Sequence, residues 1–201
     1  MPADSASATS ATGAAWTFAP VTPERWGDFE RLFGPRGACG NCWCMFERMA
    51  RKDFDAASGA ERKAAMRALV AGGGVPGLLA YAGAEPVGWC SVAPRETYAA
   101  LARSRILQPV DDQPVWSLVC FFIAKAARRQ GLTVALLRAA VDYAGSRGAR
   151  IVEGYPKDFA STTTPDVFAW HGTASAFRQA GFREVARRAP TRPIMRYTVG
   201  G

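Results

Sequence analysis

The chain has 201 residues, 49% of them hydrophobic and 21% charged, with a formal net charge of +8 and a sequence pI of about 9.7. That length suits one domain with a real core, and no apolar run approaches the ~20 residues that a bilayer crossing requires. The positive balance invites an anionic cofactor, an acidic partner or nucleic acid, but Lys and Arg are spread along the chain and no zinc-finger or RNP-like motif is present, which leaves a nucleic-acid-binding module as a distant reading.

The opening stretch MPADSASATSATGAA has neither the basic nor the apolar region of a secretory signal. Its small, polar composition predicts a disordered tail over 1–15, followed by a single domain over 16–201. The cysteines are Cys39, Cys42, Cys44, Cys90 and Cys120. An odd count without a signal points to free thiols in a reducing cytoplasm.

WTFAPV (16–21) has strand character, and Thr22-Pro23 opens a helix with Thr as N-cap and Pro in the first turn. Trp26, Phe29, Leu32 and Phe33 give that helix an apolar stripe. A loop, GPRGACGNCWCM (34–45), follows. Helices are then predicted through FERMARKDF and AERKAAMRALVA (60–71). GLLAYAG (77–83) and PVGWCSV (86–92) read as a hairpin, and ETYAALARS as a short helix. The apolar run VWSLVCFFI (115–123) is a strand, the segment from about 132 to 146 a helix with Gly148 past its end, and ARIVEGY (149–155) a strand. A long loop over 156–170 precedes a helix over ASAFRQA, capped by Thr173 and closed by Gly181. FREVARR and PIMRYTV make a final pair of strands. This alternation argues for a layered α/β domain.

Between the strand 115–123 and the next helix lies Arg128-Arg129-Gln130-Gly131-Leu132-Thr133-Val134. A strand that feeds a glycine-containing turn into a helix offers unpaired N–H groups at the positive end of a helix dipole, a geometry that holds phosphate. Gly131 lets the backbone approach an anion closely, and Arg128 and Arg129 add charge. Neither a P-loop nor a GxGxxG fingerprint is present.

Here the sequence resembles the GNAT acyltransferase family, whose pattern [Q/R]-x-x-G-x-[G/A] corresponds to Arg128-x-x-Gly131-x-Thr133, with Thr133 departing from the usual small residue. The order of elements and the helix ASAFRQAGFREV, ending in Gly-Phe and running into a strand, carry the same resemblance. It implies a mixed, mostly antiparallel central sheet with helices on both faces and a splayed cofactor cleft, and acetyl-CoA as co-substrate. The pyrophosphate would then sit on the N–H groups of Arg129, Gln130, Gly131, Leu132, Thr133 and Val134. The pantetheine arm would pair like a strand along Phe121, Phe122 and Ile123, and an N–H of that strand would polarise the thioester carbonyl.

GNAT enzymes commonly carry a tyrosine acid four residues before the Gly of Gly-Phe; that position is Phe177 here, which cannot donate. His171, Tyr155 and Ser175 are nearby substitutes, with Ser175 also a candidate cofactor contact, and Glu153 is a candidate base. Cys120 lies within the cofactor strand. An acyl-cysteine route is open in principle, but no Cys-His-Asp arrangement is legible and packing is the plainer reading.

Cys39-x2-Cys42-x-Cys44 lacks the second ligand pair of a structural zinc site, so no metal is expected. The resemblance places this loop beside the acceptor pocket, with Trp43 and Met45 as candidate substrate contacts. The function it implies is acetyl-CoA-dependent N-acetylation by direct attack of a primary amine; a catalytically degenerate acyl-CoA sensor and a nucleic-acid-binding module are the rival readings. The acceptor is expected to be a small molecule, and homodimer assembly stays open.

Overall fold

The computed structural model describes residues 6–9, 15–158 and 170–200. Eight strands form one sheet in the order β1 (Ala6–Thr9), β2 (Ala15–Pro20), β3 (Gly77–Ala82), β4 (Glu85–Pro94), β5 (Trp116–Ile123), β6 (Ile151–Gly154), β8 (Pro193–Thr198) and β7 (Arg183–Arg187). All neighbours are antiparallel except β5 and β6. The sheet is therefore mixed and mostly antiparallel, as expected.

The parallel junction is short. Trp116 pairs with Val152, Ser117 with Glu153 and Leu118 with Gly154. Beyond Leu118, β5 continues to Ile123 along β4 alone, so the sheet splays open at this point. At the point of divergence Ser91 pairs with Cys120 while Val92 pairs with Leu118. Val119 is thus an extra residue in β5, a bulge that bends the strand away from its former partner.

Strand alternation divides the core between two faces. Leu78, Ala80, Cys90 and Val92 turn to one side and pack on Leu132, Leu136, Leu137, Ala140 and Ala144 of α5 (Leu132–Ser146). Leu79 and Trp89 turn to the other, where α1 (Trp26–Phe33) contributes Phe29 and Phe33. There α2 (Arg51–Ala56) is followed by α3 (Gly59–Ala71), which adds Met66 and Val70. Each such large side chain, fully buried, contributes ~1.5–3 kcal/mol. The edge-on contact of Phe29 with Trp89, at 5.0 Å between ring centres, has the geometry that aromatic quadrupoles favour. Two short helices, α4 (Ala99–Arg103) and α6 (Ala174–Gln179), complete the layers.

The α5 helix occupies the predicted residues, and Thr173 accepts from the Ala176 N–H to cap α6. Other expectations need correction. Within the stretch 1–15 expected to be disordered, Ala6–Thr9 form a strand on β2, because an open sheet edge supplies main-chain partners whatever the side chains; residues 1–5 and 10–14 lie outside the described residues, as do 159–169 of the long loop. Thr22 does not cap α1: a 3₁₀ turn over Pro23–Arg25 intervenes, and the Thr22 hydroxyl makes no capping bond. The helix predicted through FERMARKDF begins only at Arg51. Tertiary contacts claim the earlier residues, with Phe46 edge-on to Phe54 and Trp170 and Arg48 bonded to Pro76, Ser91 and Tyr98.

Candidate functional site

The turn between β5 and α5 is built from left-handed backbone. Lys125–Ala127 make a 3₁₀ turn, Arg129 has φ +60° and Gly131 φ +84°. A Cβ on Gly131 would meet nothing within 4 Å, so glycine is required here by conformation rather than by space. Arg128 Nε donates to Ile123 O at 3.1 Å and Gln130 Nε2 to Ala126 O at 2.8 Å, which ties the turn to the strand it leaves. Val134 and Ala135 donate back to Gly131 O, whereas the N–H groups of Arg129, Gly131, Leu132 and Thr133 find no acceptor among the described residues. Four donors left open at the mouth of a fifteen-residue helix have a geometry able to hold an anion.

The open edge of β5 leads into this turn. Ala124 N–H donates to Val87 O at 2.9 Å. By the alternation of antiparallel bonding, Phe122 also faces β4, and the main-chain groups of Phe121 and Ile123 face the gap. Phe177 of α6 closes the inner end of that gap. Its ring is fully buried, lies edge-on to Phe121 at 6.2 Å and covers Gly154 so closely that a Cβ there would fall 2.2 Å from Cε1.

Beside the strand is an apolar cavity of about 240 Å³, lined by Phe33, Phe46, Phe54, Trp170, Cys120, Phe121, Phe122 and the loop residues Ala38, Cys39, Gly40, Cys42 and Cys44. The loop expected to border an acceptor pocket lines this cavity, but Trp43 and Met45, its expected substrate contacts, are not among the lining residues. Both are core. Trp43 stacks on Phe33 at 5.8 Å and lines a separate outer groove with Glu30, Asn41 and Lys63. The alternation of side chains in this loop could not be read because Ala38, Asn41, Trp43 and Cys44 all take positive φ without being glycine.

The candidate proton-transfer residues are placed less favourably. Glu153 is fully buried; its carboxylate accepts from Arg95 at 3.2 Å, Arg196 at 2.7 Å and the Tyr155 hydroxyl at 2.7 Å. Tyr155 also meets Ser117 Oγ at 2.9 Å, and burial holds its proton far more tightly than an ordinary phenol. Both residues therefore belong to a saturated network under the joined end of β5 and β6, where neither can readily exchange a proton with the cleft.

His171 does stand at the splay. Its Nδ1 lies 3.0 Å from the carbonyl of the bulge residue Val119, and Arg192 Nη2 is 2.9 Å from Nε2. Burial, together with the charges of Arg192 and Lys157, lowers its pKa well below the usual histidine value. The neutral tautomer that satisfies both contacts donates from Nδ1 to Val119 and accepts at Nε2 from Arg192. His171 is thus a brace for the bulge rather than an available acid. Ser175 is exposed, with its hydroxyl 2.9 Å from Thr173 Oγ1.

Glu47 was missed from sequence. It is half-buried, its carboxylate makes no hydrogen bond among the described residues, and burial raises its pKa. Only tertiary placement near Arg192 and Cys120 distinguishes it from other glutamates.

Among solved structures, the chain is similar to a GNAT-family acetyltransferase of Listeria monocytogenes at 9% identity, covering 96% of this chain and 99% of that one with a TM-score of 0.58. It is also similar to yncA of Salmonella typhimurium, solved with its cofactor acetyl-CoA, at 11% identity, 92% and 94% coverage and a TM-score of 0.51. A protein assigned as arylalkylamine N-acetyltransferase 7 in the mosquito Aedes aegypti gives 13% identity, 98% and 94% coverage and a TM-score of 0.55. No curated protein matches the chain. The model of the Acetyltransferase (GNAT) family matches residues 43–159, more than half of the sequence, and the chain belongs to that family.

Proposed function

We propose that this protein is an acetyl-CoA-dependent N-acetyltransferase acting on a small primary amine. One observation carries the reading: the unpaired edge of β5 runs directly into a turn whose Arg129, Gly131, Leu132 and Thr133 N–H groups have no acceptor among the described residues. Those donors fit a pyrophosphate, and the main-chain groups of Phe121 and Ile123 fit an extended amide-bearing arm. In this reading the residues from Arg128 to Val134 hold the phosphates, and Phe121, Phe122 and Ile123 guide the arm. Ser175 lies at the start of α6 as a further cofactor contact. Bound acetyl-CoA supplies the activated acetyl thioester.

The cavity supports the choice of acceptor. At about 240 Å³ it lies below the size range of drug-like pockets, and its aromatic lining suits the apolar body of a small amine. The Salmonella and mosquito structures lend support by what they bind or are assigned to. Main-chain N–H groups on the open edge of β5 are positioned to stabilise an oxyanion, and His171 keeps the bulge from which that edge begins. Among the described residues no side chain takes the place of the missing tyrosine acid; a departing thiol of pKa near ~8.5 leaves without one. A homodimer and a cytoplasmic location are part of the same reading.

Phe177, buried where the family carries its acid, favours a second reading as an acyl-CoA-binding sensor. Turnover separates the two. A panel of small amines with acetyl-CoA, followed by release of CoA thiol, should show amine-dependent turnover; acetyl-CoA binding without turnover on any amine would favour the sensor.

A further inference from the structure

Four cysteines line the cavity, and the surroundings of Cys42, Cys44 and Cys120 differ. Cys44 Sγ accepts from the indole N–H of Trp89 at 3.2 Å, and Cys120 on β5, whose thiol donates to Phe121 O at 3.9 Å, neighbours the same sulfur. Arg48 stands beside it. Its Nη2 is engaged by Pro76 O, Ser91 Oγ and the Tyr98 hydroxyl, but it has no carboxylate partner among the described residues and its buried Nε bonds to nothing. A part-buried guanidinium without an anion is costly, and Cys44 is a neighbouring group able to supply the charge. The hydrogen bond from Cys120, the charge of Arg48 and the Trp89 donor lower the Cys44 pKa against burial, while the Cys120 thiol is held protonated. Cys42, by contrast, is pushed up by burial and by Cys44.

The backbone is also arranged around this sulfur. Trp43 and Cys44 occupy consecutive left-handed conformations, φ +47° and +57°, which cost non-glycine residues of order 1–3 kcal/mol each. That strain holds Cys44 under Trp89 and over β5, with its side chain on the same cavity as Cys120, Phe121 and Phe122.

We propose that Cys44 is a catalytic nucleophile that carries the acetyl group between acetyl-CoA and the amine, a role that rests on the acetyl-CoA reading above. The Cys44 thiolate attacks the thioester carbonyl carbon; a new C–S bond forms, the bond to CoA breaks, and CoA leaves as a thiolate. The amine nitrogen then attacks acetyl-Cys44. The C–N bond forms, the Cys44 sulfur departs with its electron pair, and the proton lost by the amine passes through solvent to the CoA thiolate. Exchange between two thioesters needs no acid, which accommodates phenylalanine at position 177.

The test uses the full-length protein and acetyl-CoA labelled in the acetyl group, without amine. Wild type should release one CoA thiol per chain in a burst, and peptide mapping after an acid quench should find the label on Cys44, removable by neutral hydroxylamine and transferable to an added amine. Without acetyl-CoA, iodoacetamide at neutral pH should alkylate Cys44 ahead of Cys42 and Cys120. The near-isosteric Cys44→Ser should retain acetyl-CoA affinity while kcat falls by two or more orders of magnitude, the scale on which loss of a covalent nucleophile is felt; Cys42→Ser should still be labelled. Binding and turnover in wild type with no burst and no labelled Cys44 would overturn the relay and leave the acetyltransferase reading intact, as would label confined to Cys42. Failure of wild type to bind acetyl-CoA would overturn both.

Discussion

Replacing Gly131 with alanine isolates the backbone geometry of the anion cradle. Nothing lies within 4 Å of the added methyl group, so no packing changes and the whole penalty comes from φ +84°. A left-handed conformation costs an L-residue about 1–2 kcal/mol. Gly148, past the other end of α5, provides a matched control: its φ is +87° and its Cβ position is equally open. Gly148→Ala should lose the same 1–2 kcal/mol, a fall in Tm of about 2–8 °C for a domain of this size, and bind acetyl-CoA as wild type does. Gly131→Ala faces the same strain but can relieve it by rotating the turn, which turns the N–H groups of Leu132 and Thr133 away from the ligand. Its acetyl-CoA affinity should then fall by about 5–30-fold, the equivalent of 1–2 kcal/mol. Calorimetric titration beside thermal unfolding measures both quantities. Unchanged affinity in Gly131→Ala, with stability lowered as in Gly148→Ala, would refute the assignment of these N–H groups to the phosphates.

Other consequences follow from the buried networks. Glu153→Gln removes the charge that compensates Arg95 and Arg196 and should cost about 3–5 kcal/mol in urea unfolding, with kcat per folded molecule preserved; a collapsed kcat at full stability would return Glu153 to the catalytic set. Gly154→Ala forces a Cβ against the Phe177 ring and should cost about 1–3 kcal/mol; combining it with Phe177→Leu should recover part of that loss, and strict additivity in the double-mutant cycle would contradict the contact. For His171 the sign is set by its depressed pKa. The unfolded chain takes a proton near pH ~6.5 and the folded protein resists it, so this contribution to stability is complete above that pH and is lost as pH falls below it. His171→Gln should flatten the corresponding slope in denaturation curves between pH 7 and about 5; an unchanged slope would mean that the ring protonates freely in the folded state.

What could be read from the sequence was local. The α5 stripe of Val134, Leu137, Val141 and Ala144 and the glycines at either end mark that helix without any tertiary knowledge, and the basic glycine turn before it implies an anion because helix starts carry open donors. The surroundings of the candidate proton-transfer residues were hidden for the opposite reason. Glu153 looks like a cleft carboxylate until Arg95 and Arg196, distant in sequence, close on it. His171 looks like an available imidazole until the fold brings it to Val119, whose protruding carbonyl exists only because β5 bulges there. The cysteine loop was illegible in a further sense: its left-handed residues are not glycines, so periodicity could not say which side chains face the cavity. The β1 strand likewise owes its conformation to the β2 edge rather than to its Ala-Ser-Ala-Thr composition.

A crystal structure of the protein grown with acetyl-CoA examines the cleft most directly. The pyrophosphate should lie on the N–H groups of Arg129, Gly131, Leu132 and Thr133, with the pantetheine arm along the open edge of β5 at Phe121 and Ile123 and the acetyl group at the mouth of the cysteine-lined cavity. Acetyl-CoA bound elsewhere, or a cleft that stays empty at saturating concentration, would contradict the assignment of this site.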